Sequence, residues 1–159
     1  DSKDSQATKE STVFVLSNRR RAAVAAAVLM ICVAAPAVAA EKRDGMFIHI
    51  SQGAGEPHRV LMAMNMAAMM AEDHPVLVYF DIKGIDVVLK DAKDITYAHF
   101  PASKQQLQNL LKKGVTVMAC PGCLKAAGKT PADLAPGVKV ADKKTFFGFT
   151  EGRIITLDY

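Results

Sequence analysis

Two thiols three residues apart, in Cys120-Pro121-Gly122-Cys123, are the most reactive combination in this 159-residue chain. A thiolate is the nucleophile, and an ordinary free thiol has a pKa of about 8.5. Val115 to Ala119 reads as an apolar strand that runs straight into the pair. Leu124 to Ala127 reads as a short helix stopped by Gly128. A cysteine at a strand-to-helix junction faces the positive end of the helix, which favours the anion. A second cysteine three positions on lowers the first thiol further. Lys125 adds positive charge, and no acidic residue is close in sequence. The spacing therefore makes Cys120 the nucleophile and Cys123 its resolving thiol.

Other chemistries fit the same residues. A C-x-x-C can be half of a zinc site, but a closed site needs four ligands. Two of His49, His58, His74 and His99 would have to complete it, and none has partner spacing. A structural disulfide across so short a loop stabilises little, and two inert buried thiols are the plainest alternative. Met62, Met66 and Met69 share a helical face, with His58 one turn earlier. Thioether and imidazole suit Cu(I), so a non-catalytic module holding Cu(I) or another soft metal through Cys120, Cys123 and this helix is a further alternative, although methionine at helical spacing is more often packing. His49 reads as a core or site-edge histidine, and His99 as a loop residue that can serve Cys120 as a proton partner. No cofactor and no resident metal are expected.

The elements needed to position these groups alternate between strand and helix. Met46 to Ile50 is a short apolar strand followed by a Gly turn. Pro57 opens a helix running to about Asp73, and its abundance of apolar residues predicts cover on most sides. Val76 to Phe80 is near-continuously apolar, as in a strand buried on both faces of a parallel sheet. Gly84 to Leu89 is an apolar segment of open type, and Lys90 to Pro101 is a loop. Ser103 is positioned to cap a helix from Lys104 to Lys113, ended by Gly114. Asp133 to Pro136 reads as a turn of helix, and Val138–Val140 and Ile154–Leu157 as the last strands. This order predicts a single small α/β domain, a parallel sheet with helices on both faces. Reactive groups in such sheets gather at the carboxyl ends of the strands, where Cys120 lies.

The stretch Val117-Met-Ala-Cys-Pro-Gly-Cys-Leu-Lys-Ala-Ala-Gly128 resembles the active-cysteine segment of the DsrE/DsrF/TusD-like sulfur-relay family. The opening strand, the Pro-initiated helix, Val76 to Asp81 with Gly84-Ile85-Asp86 after it, Asp133-Leu134 and the closing strand follow in the same order. The resemblance spans about residues 45–159. It implies a flavodoxin-like fold assembled as trimers or hexamers. It also implies a cysteine, Cys120 by position, that accepts sulfane sulfur as a persulfide and exchanges it with a donor or acceptor protein. Carrier and sulfurtransferase are both compatible with it. Two departures shift weight toward thiol–disulfide exchange: the second cysteine, and signs of export where described members are cytoplasmic.

Those signs lie in residues 1–40. Arg19-Arg20-Arg21 precedes an apolar run from Ala22 to Ala35, then Pro36 and Ala37-Val38-Ala39-Ala40. A positive segment, an apolar segment and an A-x-A end form the pattern of a secretory signal peptide. The run is too Ala-rich and too broken by Pro36 to make a strong membrane span. Residues 1–40 are thus read as an extension with a signal peptide, 41–159 as the α/β domain, and the location as periplasmic or secreted. The paired arginines leave the general and twin-arginine routes both open. Contact with a membrane is expected only through an uncleaved signal. Residues 41–159 carry fifteen Lys/Arg against thirteen Asp/Glu, and no aromatic series accompanies them, so no nucleic-acid partner is expected.

Overall fold

The computed structural model describes residues 42–159; the signal peptide expected within residues 1–40 lies outside these residues. Five strands form one all-parallel sheet: β1 (Gly45–Ile50), β2 (Val76–Phe80), β3 (Thr116–Ala119), β4 (Lys139–Val140) and β5 (Ile154–Asp158). Their spatial order is β4-β3-β2-β1-β5. Strands one to four are laid down successively, and the chain then crosses back to place β5 on the free edge of β1.

Period-two alternation divides the strands into two faces. Ile48, Ile50, Val78, Phe80, Val117 and Ala119 point to one face and are all but fully buried. Against them pack α1 (Pro57–Met70), through Val60, Leu61, Met64 and Ala67, and α2 (Ser103–Lys112), through Leu107 and Leu110. The other face carries Phe47, His49, Leu77, Tyr79 and Met118, and Phe146 of α4 (Lys143–Gly148) packs on it, 5.0 Å from Phe47. Helices therefore lie on both faces, but unevenly. Between β3 and β4 comes α3 (Pro121–Ala126).

Several boundaries differ from expectation. Helix α1 ends at Met70, not Asp73, because exposed Glu72, Asp73 and His74 lead into Pro75, which disfavours helix before it. It is covered on one side only: Met62 and Met66 are half-buried and Met69 is 56% exposed. Ser103 does not cap α2. It is the first helical residue, and its hydroxyl accepts from the Ile95 N–H and donates to Asp94. Asp94, from the preceding loop, accepts from the Lys104 N–H in place of a cap. The helical turn expected at Asp133–Pro136 is a 3-10 turn over Pro131–Asp133, and another 3-10 turn spans Ile82–Val87. Helix α4 was not anticipated. Its local signal is Asp142, whose carboxylate accepts from the Thr145 N–H at 2.9 Å and the Thr145 hydroxyl at 2.7 Å.

Candidate functional site

Strand register builds one edge of the molecule. Tyr79 is level with His49 on one side and Met118 on the other, and His49 is level with Asp158. A row therefore runs across the sheet, Asp158–His49–Tyr79–Met118, all on the face opposite α1 and α2. Cys120 follows two residues after Met118, on the same face by alternation. Its N–H continues the ladder by donating to the Phe80 carbonyl at 2.9 Å. The strand's carboxyl end thus delivers Cys120 beside Tyr79.

Helix α3 begins at Pro121, three residues earlier than the sequence suggested. Proline is preset for the first helical position and needs no N–H there. Cys120 is consequently the N-cap, with its sulfur accepting from the Cys123 N–H at 3.4 Å. Cys123 lies within the first turn. Both cysteines are free thiols and half-buried.

The two thiols are driven apart in acidity. Burial pushes Cys120 up, but the Tyr79 hydroxyl, the Cys123 N–H and thiol and the Gly122 N–H donate to its sulfur and hold it below the ordinary value. Tyr79 is correspondingly pushed well up, first by burial and then by the Cys120 anion beside it. At Cys123 the Ile82 N–H favours the thiolate, yet the neighbouring Cys120 sulfur, burial and the Asp81 carboxylate outweigh it and leave the thiol raised. Cys120 is the stronger acid of the two, and it owes this to hydrogen-bond donors. Exposed Lys125, which the sequence offered as a source of positive charge, is not among the groups that set it.

His49 sits one strand further along the same edge. Its Nδ1 lies 2.6 Å from Asp158 and its Nε2 2.9 Å from Asp81. Burial alone would lower its pKa, but the two carboxylates raise it above the ordinary value. The Asp81 contact is close but poorly aligned, so the buried Oδ1 of Asp81 lacks a directed donor. The sequence marked His49 only as a core or edge residue and passed over Tyr79 and Asp81. Both follow from the strand that ends in Val76-Leu-Val-Tyr-Phe-Asp81, and a polar pair at the end of an apolar strand was the available signal.

The remaining histidines belong elsewhere. His99, expected near Cys120, stacks on Phe100 at 4.7 Å, and Phe100 also meets His58 at 5.6 Å. His58 stacks on Tyr97 at 4.9 Å. His74 meets the Asp44 carbonyl at 3.1 Å. Among the described residues, no group of three or more His, Cys, Asp or Glu side chains is placed to hold a metal ion. No described helix is long and apolar enough to cross a membrane.

Residues 45–151, well over half of the chain, match the DsrE/DsrF-like family. The chain belongs to that family. The match places it in a group of sulfur-relay type and agrees with the fold. The YchN protein of Escherichia coli has a similar structure, with a TM-score of 0.58 at 15% identity over 72% of this chain and 99% of that one. MTH1491 of Methanobacterium thermoautotrophicum, a protein of unknown function, has a TM-score of 0.54 at 22% identity with the same coverage. At such identities the likeness is one of fold: a five-stranded parallel sheet of flavodoxin-like type. No curated protein matches the chain.

Proposed function

We propose that the protein carries sulfane sulfur as a persulfide on Cys120, with Cys123 as the resolving thiol. The observation that supports this most is the Cys120 sulfur at the cap of α3, where the Cys123 N–H and the Tyr79 hydroxyl stabilise its anion. The Cys120 thiolate attacks the outer sulfur of a donor. A new S–S bond forms, the bond to the donor breaks, and the electron pair leaves with the donor. An acceptor thiolate then removes the outer sulfur by the same exchange in reverse.

Intact mass measured after incubation with a sulfane donor tests this. The wild type is expected to gain one sulfur atom and Cys120→Ser none. An equal gain on both proteins, or no gain on the wild type, ends the proposal.

A second reading is favoured by the closeness of Cys123 to the same sulfur. Attack of the Cys123 thiolate on the Cys120 sulfur of the persulfide would release hydrosulfide and leave a Cys120–Cys123 disulfide. The sulfane sulfur is reduced by two electrons as the two thiols are oxidised, so no other oxidant is needed. A reversible disulfide that turns over on a protein disulfide would make the protein an oxidoreductase instead.

Assembly into a homo-oligomer and export to the periplasm or beyond belong to the same proposal. The methionine side of α1, exposed at Met69, supports the first. The Arg19 to Ala40 pattern supports the second.

A further inference from the structure

Beside the cysteine edge, on the sheet face left open by the long helices, lies a groove of about 340 Å³. This is at the small end of the ligand-cleft range, about 300–1,000 Å³. Tyr79, Pro121, Ala141, Phe146 and Phe147 line it, with Asp142 and Lys143. Tyr79 is level with Met118, two residues before Cys120 on the same face, and Pro121 is the next residue in the chain, so the groove opens onto the nucleophile's immediate neighbours. Phe146 is held in place, packing edge-on against Phe47 and Phe147 at 5.0 and 5.1 Å. Phe147 is 67% exposed, a large apolar side chain left to water.

Two charges border the groove, and they are not equivalent. The Asp142 carboxylate is engaged by the Thr145 N–H and hydroxyl as the cap of α4. Lys143 forms no ion pair among the described residues and lies at the start of the same helix, with Lys144 next to it and Lys139 facing Asp142. On the α4 side the balance is positive, with Lys139, Lys143 and Lys144 against the single, engaged carboxylate of Asp142, while Asp81 acts on Tyr79 at the cysteine side. The groove therefore complements a ring-sized apolar body with an anionic group attached.

We propose that this groove holds the apolar body of a small organic sulfane-sulfur donor bearing an anionic group, an aryl or alkyl thiosulfonate in chemical class, and presents its outer sulfur to Cys120. The inference rests on the persulfide reading and adds the substrate class. In the transfer, the Cys120 thiolate bonds to the outer sulfur, and the bond between that sulfur and the sulfonyl sulfur breaks. The electron pair departs with the sulfinate, near Lys143. Charge is conserved and no oxidant is required. A protein donor would need a larger contact, roughly 800 Å² a side, whereas this groove suits a single ring.

The test separates binding from sulfur chemistry. Benzenesulfinate has the ring and the anion but no sulfane sulfur. It is expected to shift the NMR signals of Phe146, Phe147 and Tyr79, to slow alkylation of Cys120 by iodoacetamide, and to lose both effects in Phe147→Ser. Benzenethiosulfonate is expected to load Cys120 faster than inorganic thiosulfate, which lacks the apolar body. Phe147→Ser should reduce that rate ratio about ten-fold, and Lys143→Gln should weaken sulfinate binding. Failure of benzenesulfinate to bind overturns the proposal, even if Cys120 accepts sulfur from thiosulfate or from a protein persulfide. An unchanged rate ratio in Phe147→Ser overturns it as well. Binding of benzenesulfinate with no sulfur accepted from any donor defeats the persulfide reading, and with it the donor role.

Discussion

At the scale of single residues, the Tyr79 hydroxyl is the donor that the sequence could not supply. It comes from a strand some forty positions away, and only the parallel register of β2 with β3 brings it to Cys120. Removing a donor from an anion destabilises the anion, so Tyr79→Phe should raise the Cys120 thiol. The midpoint of Cys120 alkylation against pH is expected to move upward in this variant, and the rate at neutral pH to fall. An unchanged midpoint would show that the α3 N–H groups suffice alone. The sequence located Cys120 at a strand end and distinguished it from Cys123, because both inferences need only local spacing. It credited Lys125 instead of Tyr79, because neighbours across a sheet leave no mark in a single sequence.

At the scale of elements, the segment after β2 sets the position of Cys123. Ile82 has φ +45°, a left-handed conformation uncommon for a β-branched residue. Such backbone costs about 1–3 kcal/mol and persists only where its surroundings fix it. Here the Ile82 N–H favours the Cys123 thiolate. Two residues on, a Cβ at Gly84 would collide with the Ile50 carbonyl oxygen, so the turn can cross the end of β1 only with glycine there. Gly84→Ala is expected to destabilise the fold by about 1–3 kcal/mol, read as a lower urea midpoint. The sequence left this segment open because a 3-10 turn has neither the period of a helix nor the alternation of a strand. The central strands β1 to β3 were legible from their buried apolar runs, and β5 was read from an apolar run although Ile154 and Ile155 are exposed at the sheet edge. Helix α4 was not, since six residues with two phenylalanines carry too little period to stand out.

At the scale of the whole molecule, His49 ties three strand ends together. It belongs to β1, Asp158 to β5, and Asp81 follows β2. Its pKa is raised on folding despite the opposing effect of burial. The folded chain therefore holds the proton more tightly than the unfolded one. The resulting stability is fully present below the ordinary histidine pKa of about 6.5 and is lost as pH rises through the higher folded value. The thermal midpoint of the wild type is accordingly expected to fall between mildly acidic and mildly alkaline pH. His49→Gln should flatten that slope, and an equal slope in both would remove His49 as its source.

The strand order has a consequence for how the chain is made. The partner of β1 on its outer side is β5, more than a hundred residues later. Synthesis proceeds from the amino end, so β1 keeps a bare outer edge until residues 154–158 have been made. Asp158, which completes the histidine clamp, arrives in that same final strand. The outer edge of β1 and the clamp beside the cysteines are therefore completed together, after the rest of the sheet has been made.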